Sequence, residues 1–141
     1  MAQQALTFVD SNVLAYAHDS SEATKQPVAA SVLESLWKTN TGTLSTQVLQ
    51  EFYVVATHKF TPPLNRGEAR AIVAAYAEWD VMTVDAPMIV AASRLEERHR
   101  LSFWDALIVE AARRAGAGRL VSEDLQRGRL IAGLRIENPF A

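Results

Sequence analysis

Asp10, Glu51, Asp105 and Asp124 are the residues of this sequence best suited to chemistry. Asp10 closes a short apolar run at 6–9, and Asp124 follows a strand-like segment, at 119–122, by two residues. Glu51 and Asp105 lie inside helical patterns, VLQEFYVVA at 48–56 and SFWDALIV at 102–109. At about 100° per residue, Glu51 shares its side of the wheel with Val48, Val54 and Val55. Asp105 lies among Ile108, Val109 and Ala112, while Glu110 and Arg114 fall on the opposite, polar side. Two carboxylates therefore stand on apolar stripes, with no Lys or Arg one turn away. An unpaired buried carboxylate costs several kcal/mol. Two of them about 4 Å apart repel by roughly 4 kcal/mol at an effective dielectric of 20. If the four converge, protonation or one or two divalent cations must relieve the crowding. Oxygen-only ligands favour Mg²⁺ or Mn²⁺ over zinc, and a pair of such ions suits in-line hydrolysis of a phosphodiester. Taken singly, Asp10 reads equally well as a helix cap and Asp124 as a turn residue.

The elements that must position these acids alternate between strand and helix. A buried strand is expected at 6–9, with Ser11 or Asn12 capping a helix at 13–18. A second helix is expected over 21–38, with Pro27 near its start and Asn40 to Gly42 at its end. A brief strand at 43–45 leads to a helix over 47–59, capped by Ser45 or Thr46. Pro62 and Pro63 force a loop, and Asn65 caps a helix over 67–79. A strand at 81–84 precedes helices at 87–98 and 102–115, the second closed by Gly116 and Gly118. Strand 119–122 and an edge strand at 134–136 complete the chain. This order predicts an α/β fold around a mainly parallel sheet of four to five strands. Sites in such sheets form beyond the carboxyl ends of the strands, where Asp10 and Asp124 fall.

The bulk numbers narrow the classes. A length of 141 residues, 49% hydrophobic and 21% charged, predicts a single globular domain over 1–141 rather than disorder or coiled coil. A formal net charge of -2 advertises no global field for nucleic acid, so an RNA partner must be drawn by local basic residues and by cations. The absence of cysteine excludes disulfides and thiolate metal sites and fits a reducing cytoplasm. No signal-peptide pattern and no apolar run of membrane-spanning length is visible, which predicts a soluble cytoplasmic protein with no membrane partner.

Four segments resemble the PIN domain, especially the VapC-like toxins of bacterial toxin–antitoxin pairs: FVDSNVLAY at 8–16, STQVLQEFY at 45–53, SFWDALI at 102–108 and VSEDLQRG at 121–128. They span nearly the whole chain in the family's order. The resemblance implies a three-layer fold with a mainly parallel sheet wrapped by helices, and a Mg²⁺- or Mn²⁺-dependent endoribonuclease that is often a homodimer. It also implies inhibition by a small antitoxin protein that covers the acidic groove. Asp10, Glu51, Asp105 and Asp124 match the family's metal-binding acids, and Asn12 and Ser122 match positions that orient them. Ser122 stands where many relatives carry threonine, keeping the hydroxyl. Glu123 is expected to be a solvated neighbour of Asp124.

Arg127 and Arg129 follow Asp124 closely and are candidates for contacts to RNA phosphates. The other arginines of the second half, interleaved with Glu96, Glu97 and Glu110, read as solvated helix faces. Trp37, Trp79 and Trp104 read as core or interface residues rather than stacking platforms. Two alternatives stand beside the ribonuclease. A phosphotransferase using Asp10 as nucleophile wants a second acid two residues on, where this sequence has Asn12. The other is a catalytically silent RNA-binding or interaction module on the same fold, against which retention of all four acids argues.

Overall fold

The computed structural model describes residues 5–125 and 128–141. Among them, β1 (Leu6–Val9), β2 (Gly42–Ser45), β3 (Asp80–Met82), β4 (Ala117–Val121), β5 (Leu130–Ile131) and β6 (Leu134–Glu137) form one sheet, in the order β3-β2-β1-β4-β6-β5. All neighbours pair parallel except β5 with β6, which form an antiparallel hairpin. The fold is thus α/β with a mostly parallel sheet, as expected, but it has six strands rather than four or five. The strand predicted as the edge, β6, lies inside β5, whose two residues are too few to leave a periodic signal. Central β1 is buried on both faces, with Phe8 and Val9 fully enclosed and Thr7 nearly so. That explains its unbroken apolar reading.

Among the described residues six helices cover the sheet: α1 (Ser11–His18), α2 (Lys25–Thr39), α3 (Thr46–His58), α4 (Arg66–Tyr76), α5 (Ala86–His99) and α6 (Phe103–Arg114). Right-handed crossovers from β1 through β2 to β3, then back from β3 to β4, put α1–α4 on one face and α5–α6 on the other. The packing agrees: α1 lies against α2 and α3, while α5 lies against α6, and α6 against β2 and β4. Helix α2 starts at Lys25, later than predicted, because Asp19 accepts hydrogen bonds from the Ser21 N–H (3.0 Å) and hydroxyl (2.7 Å). Such local bonds compete with a helix start. Asn40 closes α2 in the left-handed region, and Gly42 already belongs to β2. A Cβ at Gly42 would lie 2.6 Å from the Trp79 ring, so only glycine permits this approach.

Glu110 corrects the helical-wheel reading. It is 1% exposed, because the stretch 106–112 of α6 is buried throughout between the sheet and α5. The charge is tolerated because Arg113 and Arg114 both reach back to it, Arg113 with Nε at 3.0 Å and Nη2 at 2.7 Å. Burial pushes the Glu110 carboxyl up, but the hydrogen bonds and charges of the two arginines outweigh it and hold it below its ordinary value. Among the described residues, no helix is long and apolar enough to cross a membrane.

Candidate functional site

Chain order leaves β1 in both directions, towards β2 and β3 on one side and towards β4 and β6 on the other. Such a switch point opens a crevice beyond the carboxyl ends of the strands. Asp10 directly follows β1 and Ser122 directly follows β4. The Ser122 hydroxyl donates to Asp10 Oδ2 at 2.7 Å and joins the two strand ends across the crevice.

Asp10 is also the N-cap of α1, a role the sequence allowed to Asp10 as well as to Ser11 or Asn12. Its Oδ1 accepts from the Ser11 N–H at 2.7 Å, so the cap and the site use one carboxylate. The group is 4% exposed. Burial pushes its pKa up to about 6; the Ser122 and Ser11 hydrogen bonds oppose this, while the charges of Glu51 and Asp124 add to it.

Glu51 sits one turn into α3, whose start is capped by the Ser45 hydroxyl accepting from the Val48 N–H at 3.3 Å. Ser11 Oγ donates to Glu51 Oε1 at 3.0 Å and lies 3.5 Å from Asp10 Oδ1, so one hydroxyl bridges two acids. Gln47, buried one turn earlier, donates from Nε2 to Glu51 Oε2 and to the Trp104 carbonyl, each at 3.3 Å. That single amide ties α3 to the start of α6, next to Asp105. Asp105 is half-buried in the first turn of α6, where Ser102 accepts its N–H at 3.1 Å. Burial raises the Asp105 pKa, the Ser102 hydrogen bond opposes the rise, and the charge of Asp124 adds to it. Asp124 is exposed, and its N–H donates to Ser122 Oγ at 3.2 Å.

The four acids therefore lie at one rim of the sheet, linked by mutual influence: Glu51 and Asp124 act on Asp10, and Asp124 acts on Asp105. Among the described residues, none of the four forms an ion pair with a basic side chain. The donor set is all oxygen, and its repulsion is uncompensated, which fits a hard divalent cation. The fit is one of chemistry rather than of finished geometry. Among the described residues, no three acidic or histidine side chains are drawn together tightly enough to clasp an ion as they stand.

The flanking residues are arranged more fully than the sequence suggested. Asn12 Oδ1 accepts from the Glu123 N–H at 3.2 Å, while its Nδ2 is buried with no partner among the described residues. Asn12 and Ser122 thus hold the turn at 122–124 from two sides. Glu123 is not a solvated bystander: Lys25 Nζ reaches its Oε2 and the Tyr16 hydroxyl its Oε1, both at 2.6 Å. Arg129 donates from Nη2 to the His99 carbonyl at 2.9 Å, at the end of α5. Arg127 lies outside the described residues. Trp79 is core, and Trp37 packs on it and on Tyr76. Trp104, read as a core or interface residue, is 63% exposed in the first turn of α6.

Sequence reasoning missed Ser11 and Gln47 as parts of the site. Gln47 carried a signal, being four residues before Glu51 on the same helix face. Ser11 carried none, since its bond to Glu51 spans 40 positions.

No curated protein matches the sequence. Solved structures match over nearly the whole chain. A toxin–antitoxin complex from Klebsiella pneumoniae aligns with a TM-score of 0.67 at 17% identity, over 94% of this chain and 97% of that one. VapBC2 from Rickettsia felis, bound to a DNA fragment from its promoter, gives 0.63 at 20%, over 94% and 98%. VapC20 of Mycobacterium tuberculosis, described as a Sarcin-Ricin loop cleaving toxin, gives 0.58 at 21%, over 81% and 86%. At these identities the likeness speaks to the fold. The PIN domain family model matches residues 7–129, a span that holds all four acids and both strand ends that carry them, and the chain belongs to that family.

Proposed function

We propose that this chain is a divalent-metal-dependent endoribonuclease acting as the toxin of a toxin–antitoxin pair, with Asp10, Glu51, Asp105 and Asp124 holding Mg²⁺ or Mn²⁺. One observation carries the reading: four carboxylates gathered at the switch-point rim with no basic partner among the described residues, the Asp10 carboxyl pushed up to about 6 chiefly by its burial. When bound, the cation supplies an activated water and stabilises the leaving oxygen of an RNA phosphodiester. The chain's own residues do the positioning. Ser122 and Ser11 aim Asp10, Ser11 and Gln47 aim Glu51, and Ser122 holds the backbone of Asp124. Arg127 and Arg129 are the proposed contacts to substrate phosphates. An antitoxin partner is proposed because similar structures are toxin–antitoxin complexes, and a homodimer in the cytoplasm completes the reading.

The test is cleavage of structured RNA in Mn²⁺, comparing wild type with Asp105→Asn. Metal-dependent cutting by wild type and its loss in the variant are expected; equal cutting by both removes the assignment. Expression without a partner should arrest growth, and harmless accumulation of active protein would remove the toxin role. The open spacing of the acids favours one second reading, a catalytically silent RNA-binding module. RNA binding without cleavage across divalent metals would select it.

A further inference from the structure

We propose that Trp104 is a stacking platform for an unpaired base of the RNA, next to the phosphodiester that is cut. This rests on the ribonuclease reading and adds to it a substrate class, RNA with an unstacked nucleotide at the site. Trp104 is 63% exposed, whereas tryptophan is ordinarily among the more buried residues. Its aromatic contact among the described residues is a T-shaped one to Phe103 at 5.3 Å.

The ring's anchor is fixed relative to the acids. The Trp104 carbonyl and Glu51 Oε2 accept from the same Gln47 Nε2, and Asp105 is the next residue. Gln47 is 5% exposed, and among the described residues its amide bonds only through Nε2, to these two acceptors. Beside Glu51 lies a depression of about 430 Å³ lined by Ser11, Gln50, Glu51, Val54 and Val55. That is large enough for a neighbouring nucleotide.

The surroundings favour a base over a protein. Exposed Ser102 and Asp124 and half-buried Asp105 share this rim, so the indole and its neighbour Phe103 stand beside polar and acidic groups. A base offers a π-face to stack on, and its phosphate would face the acids that would hold the cation. Bases inside an A-form duplex are already stacked and cannot use the platform.

The experiment compares wild type, Trp104→Ala and Trp104→Phe. Binding of a fluorescein-labelled mixed-sequence RNA ten-mer is measured by anisotropy in Ca²⁺, as a single strand and as a duplex, with strand integrity checked on a gel. Cleavage kinetics in Mn²⁺ and molar mass by light scattering complete the set. Trp104→Ala should weaken single-strand binding about ten- to hundredfold and raise KM in proportion, with kcat within about twofold of wild type. Trp104→Phe should recover most of the loss, wild type should prefer the single strand, and molar mass should not change. Wild-type binding and KM in Trp104→Ala would overturn the platform and leave the ribonuclease reading standing. A changed molar mass with unchanged RNA affinity would make the ring a protein interface and overturn it too. If wild type neither binds nor cuts the strand, the ribonuclease reading fails and the platform with it.

Discussion

Replacing Asp10 by asparagine should make the metal-free protein more stable while destroying its activity. In the folded chain the Asp10 carboxyl titrates at about 6, against an ordinary 3.8. A folded pKa above the unfolded one means that the folded state holds the extra proton between those values. The associated stability is fully present below about pH 4 and is lost as pH rises through about 6. A gap of about 2, at about 1.36 kcal/mol for each, amounts to a penalty of about 3 kcal/mol at pH 7. Asparagine escapes it, but it forfeits part of the hydrogen bonding. Ser122 Oγ already accepts from the Asp124 N–H and must also accept from the new amide, at a cost of about 1 kcal/mol. The net expectation is a gain of about 2 kcal/mol at pH 7. Urea denaturation in EDTA from pH 4 to 7.5 reads it directly, and the two proteins should converge towards pH 4. Saturating Mn²⁺ should then reverse the order, since a ligand at a hundred times its Kd adds about 2.7 kcal/mol to wild type alone. Equal stability at pH 7 in EDTA, or a gap that does not narrow towards pH 4, would refute the reasoning.

Three further outcomes are expected. Ser122→Ala removes a hydrogen bond to a charged group worth roughly 1.5–3 kcal/mol, so the acid limb of the pH–rate profile should move up by about one pH unit or more, and Ser122→Thr should restore it. Gln47→Leu cuts the link between Glu51 and α6, and Mn²⁺ affinity by titration calorimetry should fall roughly ten- to hundredfold with the thermal transition nearly unchanged. Glu110→Gln breaks a buried clamp that touches none of the four acids, so stability should fall by about 2 kcal/mol and Tm by roughly 5–10 °C while specific activity holds. Because the Glu110 carboxyl is held low, the wild-type advantage over this variant should shrink as pH falls below about 4.5.

What was legible in the sequence follows the range of the forces involved. The cap at Asn65, the alternation of strand and helix, and the placement of Asp10 at a strand end are local, and local pattern marked them. Burial of Glu110 is decided by what α6 packs against, so a wheel drawn from the helix alone misplaced it. The clasp of Glu123 by Lys25 and Tyr16 joins residues 98 and 107 positions apart, and nothing in the local sequence marks it. The same holds for Ser11 on Glu51. Acids are recognised by type and position, whereas the groups that aim them are known only once the chain has folded.

The most direct measurement of the central claim is an anomalous-difference map from crystals grown with Mn²⁺. The account predicts a peak at the rim beyond β1 and β4, bonded to oxygens of Asp10 and of at least two among Glu51, Asp105 and Asp124. A map with no peak there, or with manganese bound only elsewhere on the molecule, would contradict it.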